Sequence, residues 1–155
     1  MRKTIVLATA LVLAAGSLAS CNNEPKPKTE GVFQVVATKV TELQPTILDK
    51  DFTAEGFMIT YFTGEPRVSF KPGDFYLIFN GDYSSFNLRQ FSLHGTRFED
   101  DTSRVADVAQ ALQVGQIAGE KTMRKAKINK ELRAGTYVLD AQGPKGPVAF
   151  AFTIQ

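Results

Sequence analysis

Short runs of apolar and β-branched residues, separated by turn residues, follow one another from Val32 to the end of the chain. The run Phe75–Phe79 is continuously apolar, has the length of a strand buried on both faces, and ends at Asn80-Gly81-Asp82. Strong β-branched and aromatic content predicts further strands. They fall in the regions 32–40, 57–62, 68–70, 86–93, 123–132, 137–139 and 148–154.

One stretch departs from this pattern and predicts a short helix. Thr102 or Ser103 can cap it, and Gly115 would end it. Its apolar face would consist of Val105, Val108, Ala109 and Leu112. Many short strands with one helical connection predict an all-β fold, an antiparallel Greek-key β-sandwich with one short crossover helix.

The N-terminus has the features of a secretory signal. Arg2 and Lys3 precede the uncharged run 5–15, which is shorter than the ~20 apolar residues needed to span a bilayer. The segment Leu18-Ala19-Ser20-Cys21 resembles the lipobox of bacterial lipoproteins. That resemblance implies acylation of the Cys21 thiol and removal of residues 1–20. Because Asn22 follows, sorting rules of such proteins imply the outer membrane.

The chain is therefore divided into a signal peptide (1–20), a lipidated Cys21 with a flexible tether (21–31) and a single β-sandwich domain (32–155). Cys21 is the only cysteine, so no disulfide can form within the chain. Removal of two signal cations leaves 18 − 2 = 16 basic residues against 16 acidic ones. This neutral balance argues against nucleic-acid binding. We expect the membrane and a protein or glycan of the cell envelope as partners.

Two similar segments place a glycine turn before an aromatic strand, Lys71-Pro72-Gly73-Asp74-Phe75-Tyr76 and Gly135-Thr136-Tyr137. With the C-terminal Pro/Gly turn and last apolar strand, the chain resembles cupredoxins and, more broadly, Ig-like sandwiches. The resemblance implies a tyrosine corner in which Tyr137, after Gly135, binds upstream backbone.

The copper site that the cupredoxin resemblance implies lacks its ligands. The four ligand positions hold Arg89, Ala141, Pro144–Lys145 and Val148–Ala149. Type 1 copper requires two imidazoles and a thiolate, so the chain is expected to hold no such metal and no cofactor.

Other chemistry is sparse, and we expect no enzyme activity. His94 is the only histidine and no Gly-x-Ser-x-Gly motif accompanies it. Exposed polar and aromatic residues that would form a partner surface are Arg89, His94, Tyr61 and Tyr83. The alternative is a copper-handling protein that binds the metal weakly through Met58, Met123 and His94.

Two charged clusters remain. The acids Glu99, Asp100 and Asp101 favour a helix start over a calcium site. A basic cluster indicates a solvated sheet edge or, alternatively, a surface for an anionic partner such as lipid headgroups. It comprises Lys121, Arg124, Lys125, Lys127, Lys130 and Arg133.

Overall fold

The computed structural model describes residues 24–71, 75–128 and 132–155, which form twelve strands and one short helix. The predicted signal peptide and Cys21 lie outside the described residues. In chain order the elements are β1 (Gly31–Val36), β2 (Lys39–Glu42), β3 (Asp49–Phe52), β4 (Met58–Thr63), β5 (Ser69–Phe70), β6 (Phe75–Asn80), β7 (Ser84–His94), β8 (Arg97–Asp100), α1 (Val105–Gln110), β9 (Leu112–Gln116), β10 (Met123–Ile128), β11 (Gly135–Gly143) and β12 (Gly146–Ile154).

The strands form two sheets. Sheet A has the order β2-β1-β6-β10-β9, and sheet B has the order β3-β4-β8-β7-β11-β12-β5. The pairs are antiparallel except β12–β5, which is parallel. The chain passes repeatedly between the sheets, and α1 makes the crossing from β8 to β9. This confirms the predicted all-β, antiparallel Greek-key sandwich with one short crossover helix.

The main hydrophobic core lies between the sheets. Leu77 and Phe79 enter it from sheet A, and Leu88, Leu139 and Phe150 enter it from sheet B. Each of these side chains is almost fully buried. The rings of Phe79 and Phe150 meet edge-on with centroids 6.1 Å apart, an arrangement that suits aromatic quadrupoles.

Strand β6 explains why one apolar run is continuous. It lies between β1 and β10, so both of its edges are paired. Leu77 and Phe79 face the main core, while Ile78 joins a second apolar cluster on the outer face of sheet A. All three are fully buried, as a strand covered on both faces requires.

The predicted helix boundaries are wrong at both ends. Asp101 caps a 3₁₀ helical turn, Thr102–Arg104, that leads into α1, and its carboxylate accepts the backbone N–H of Ser103 at 3.1 Å. The helix ends at Gln110, and Gly115 lies inside β9. Five register positions pair β9 with β10. The backbone groups of residues 112–116 are therefore hydrogen-bonded to a neighbouring strand and not within a longer helix. Of the predicted apolar face, Val108 is the residue that is buried within α1.

The basic segment is also placed differently from the prediction. Strand β10 is flanked by β6 and β9, so it is not a sheet edge. The edge strand beside β10 is β9, and the sequence pattern assigns that segment to the helix. No helix in the described parts of the chain is long and apolar enough to cross a membrane.

Candidate functional site

The residues predicted to form one partner surface lie in three separate places. Tyr61 on β4 and His94 at the end of β7 share one region of sheet B. Arg89 points to the other face of that sheet, because it is an odd number of residues from His94 on the same strand. Tyr83 lies in the turn between β6 and β7. The structure therefore brings together two of the four.

Around Tyr61 the side chains form a charged cluster centred on Arg97. The guanidinium lies 4.7 Å from the Tyr61 ring centroid, 3.1 Å from Asp51 and 2.5 Å from Glu99. Hydrogen bonds to Glu99 and Asp51 raise the pKa of Arg97. The hydrogen bond from the backbone N–H of Phe52 is the main cause that lowers the pKa of Asp51, and the hydrogen bond from Arg97 lowers it further. His94 is exposed and lies directly opposite Arg97 in the β7–β8 pair.

An exposed apolar tip ends the β3–β4 hairpin. Phe52, Phe57 and Met58, the hairpin tip, are 68%, 69% and 56% exposed at the turn between β3 and β4. The turn is hydrogen-bonded, since the Thr53 N–H donates to Phe57 O at 2.8 Å and its Oγ1 accepts the Phe57 N–H at 3.2 Å. Gly56 adopts a φ of 86°, which favours glycine. The apolar side chains are thus presented on an ordered turn.

Sequence reasoning missed the hairpin tip because it took residues 57–62 as strand interior. The run Asp51-Phe52-Thr53-Ala54-Glu55-Gly56-Phe57 carries the missed signal. Its turn residues lie between two aromatics, a pattern that places both aromatics at a hairpin end.

Arg89 is neutralised inside the protein. Its guanidinium donates to Asp140 at 2.8 Å and to Asp100 at 2.6 Å, and it lies 5.3 Å from the Phe91 ring centroid. Burial opposes its charge, but attraction to both carboxylates prevails and raises the pKa of Arg89. Burial raises the pKa of Asp140, against the opposing effect of Arg89. These contacts indicate a structural role for Arg89, whose guanidinium is engaged within the domain.

Tyr83 also has a packing role. Its ring meets Phe79 edge-on at 5.3 Å and lies against Gly143, where an added Cβ would come within 3.0 Å of it. Burial, followed by the charges of Glu30 and Glu42, raises the pKa of Tyr83. The half-buried ring closes one end of the main core.

Tyr137 forms the corner that its spacing predicts. Its hydroxyl donates to Arg133 O at 2.8 Å, and the ring is fully buried against Phe152. Gly135 has a φ of 157°, close to extended backbone, at the start of β11. The corner therefore ties the segment before β11 to the core.

Neither the positions of the missing copper ligands nor the alternative copper-binding residues converge on one site. Arg89 and Asp140 share the outer face of sheet B, while Ala141 enters the main core and Pro144–Lys145 form a two-residue hairpin turn. Met123 is buried on the outer face of sheet A, whereas Met58 and His94 are exposed on sheet B. The three adjacent acids 99–101 have separate partners. Glu99 pairs with Arg97, Asp100 pairs with Arg89, and Asp101 caps the helical turn. Among the described residues, no group of three His, Cys, Asp or Glu side chains could hold a metal ion.

A groove of about 560 Å³ separates the β2–β3 and β4–β5 connections. Phe62, Phe150 and Ala151 are among the residues that line it, and Ile47, 80% exposed, is another. The β2–β3 connection is fixed there, since Thr46 N–H donates to Ala149 O and Thr46 Oγ1 accepts from Ala151 N–H. Its polar and apolar lining does not select one class of ligand.

No family model matches this chain, and no curated protein or solved structure is significantly similar to it.

Proposed function

We propose that this chain is an exported, lipid-anchored protein of the cell envelope whose β-sandwich binds a partner without catalysing a reaction. Lipidation of Cys21 would attach it to a membrane, the outer membrane by the sorting rule for Asn22. As part of this proposal, the domain resembles cupredoxins in its strand pattern alone.

The observation that carries the binding role is the exposed hairpin tip. Phe52, Phe57 and Met58 each expose more than half of their surface at one ordered turn. Exposed apolar clusters with a polar rim are typical of interaction sites, and aromatic residues and Met are enriched in interface centres. The exposed charged residues Lys50, Asp51 and Glu55 flank the tip in the chain and supply that rim. An apolar centre of this kind favours a protein partner over a glycan.

Site-specific photocrosslinking in the native envelope tests this role. A photoreactive residue at position 57 should give a discrete adduct, whereas one at Val105, 51% exposed on α1, should not. Met58→Asp should remove the adduct, because a charge at the tip opposes desolvation. The matched change Val105→Asp should leave it intact. Both variants should keep the wild-type melting temperature, since both sites are exposed.

Three results would count against a hairpin partner. They are equal crosslinking at positions 57 and 105, an adduct at position 57 that survives Met58→Asp, and an adduct lost equally in Val105→Asp. A carbohydrate adduct at position 57 would keep the surface and replace the protein partner with a glycan.

A further inference from the structure

The segment Glu24–Glu30, expected as free tether, is held against the domain by four polar contacts. Glu24 pairs with Lys125 on β10, and Lys26 pairs with Glu120 at 2.8 Å. The Asn80 amide donates to Pro27 O at 2.9 Å and to Thr29 O at 2.8 Å. The contacts begin at the first described residue and continue to β1. We call residues 24–30 the docked segment.

The docked segment starts on the outer face of sheet A. Lys125 alternates with core-facing Ala126, so its side chain points away from the main core. Its ammonium also lies 4.2 Å from the ring centroid of Tyr76. Burial, followed by the charge of Glu24, raises the pKa of Tyr76. Glu24 is therefore placed beside β6 and β10.

Covalent geometry then limits how far the domain can stand from its anchor. Glu24 follows Cys21 by three residues, which span at most about 11 Å when fully extended. If Cys21 carries lipid in a bilayer, the outer face of sheet A lies next to the headgroups. A tether that was free up to Gly31 would have permitted about three times that reach.

The charge of this region suits an anionic surface. Residues 24–30 and 112–128 contain six cations and three carboxylates, a balance of 6 − 3 = +3 in a mature chain whose formal charge is 16 − 16 = 0. Lys28, Lys121 and Lys127 are exposed. A groove of about 340 Å³ beside Glu24, Gln113, Lys125 and Lys127 leaves room for headgroups. Each Lys or Arg near an anionic bilayer contributes roughly 1 kcal/mol of attraction.

We propose that the docked segment and the β9–β10 hairpin form the membrane-facing surface of the lipidated protein, with their lysines on anionic lipid headgroups. This rests on the proposed lipidation of Cys21. The docked segment sets the orientation, and it leaves the hairpin tip on sheet B for a partner.

Depth measurements on the full-length lipidated protein test this orientation. It is reconstituted in phosphatidylethanolamine–phosphatidylglycerol vesicles that contain a headgroup-nitroxide lipid. Acylation occupies Cys21, so one introduced cysteine is the unique thiol for a fluorophore. Positions Gln113, Thr96 and Phe57 are exposed, on β9, the β7–β8 turn and the hairpin tip. The label at 113 should lose most of its emission, and the labels at 96 and 57 should keep theirs.

Glu24→Lys gives a second arm, because it replaces the Lys125 ion pair with a repulsion. Quenching at 113 should then fall toward the value at 96, with palmitate incorporation unchanged. Glu42→Lys, an exposed change of the same charge on β2, should leave quenching intact.

The two proposals fail in different ways. Equal quenching at 113, 96 and 57, or strongest quenching at 57, in a fully acylated protein would overturn the orientation and leave the lipid anchor standing. Quenching at 113 that Glu24→Lys does not reduce would refute the role of the docked segment. A chain that incorporates no lipid would overturn both.

Discussion

Replacement of Tyr137 by alanine is expected to lower the free energy of unfolding by about 4 kcal/mol, as for other fully buried aromatic side chains. The ring is fully buried in the main core, where it packs with Phe152. Its loss leaves a cavity that strands β11 and β12, joined over nine register positions, cannot close by a local shift. Urea unfolding of the mature domain measures the effect.

The matched variant Tyr137→Phe separates the hydroxyl from the ring. It keeps the packing and removes the bond to Arg133 O, so it should cost about 1 kcal/mol. An equal loss in the two variants would place the effect in the hydroxyl. A wild-type midpoint in Tyr137→Ala would show that the corner does not hold the fold.

Replacement of Arg89 by methionine is expected to cost about 3 kcal/mol at neutral pH, because it leaves two carboxylates in a largely buried place without their cation. The Asp100 and Asp140 side chains are 16% and 27% exposed. Asp100 Oδ1 is already buried without a hydrogen-bond partner among the described residues. The matched change Arg97→Met, in an exposed cluster, should cause little or no loss.

The Arg89→Met loss should shrink as the pH falls. Burial already raises the pKa of Asp140 in the folded protein, and removal of Arg89 takes away the main opposing effect. A group whose folded-state pKa is raised stabilises the fold below its ordinary pKa, and this stability is lost as the pH rises through the folded value. Unfolding at pH 7 and near pH 4.5 should therefore show partial recovery of the variant. A pH-independent difference from the wild-type protein would contradict the burial of these acids.

The sequence pattern predicted the strands whose burial determines which amino acids they contain. The apolar run of β6 follows from cover on both faces, and β11 and β12 follow from strand pairing across a Pro/Gly turn. The Tyr137 corner was readable because its spacing to Gly135 is local. These features need no knowledge of distant parts of the chain.

Strands β3, β8 and β9 were not predicted because pairing overrides their composition. Every residue of strand β3, Asp49-Lys50-Asp51-Phe52, is exposed, and the strand lies at the edge of sheet B, where charges are favoured. The acids of β8 are held by Arg97 and Arg89. The Arg89–Asp100 and Arg97–Asp51 contacts join separate strands, which local propensity cannot reveal.

The same limit applies to the candidate surfaces. The exposure of the hairpin tip depends on β4 extending past the end of β8, and the Glu24–Lys125 pair joins residues 101 positions apart. The sequence pattern places Arg89 in a partner surface because a lone charge in a strand gives no sign of its two distant carboxylates. Tyr61 and His94 lie in one region of sheet B because both of their strands pair with β8.

Palmitate labelling of whole cells tests the central claim, lipid anchorage through Cys21, most directly. Full-length wild-type protein should incorporate the label and remain with the membrane fraction. Cys21→Ser should incorporate none, because it removes the acylated thiol. Ser20→Ala, which keeps a small residue before the cysteine, should be labelled like the wild type. Label retained in Cys21→Ser, or absent from the wild type, would contradict the lipid anchor.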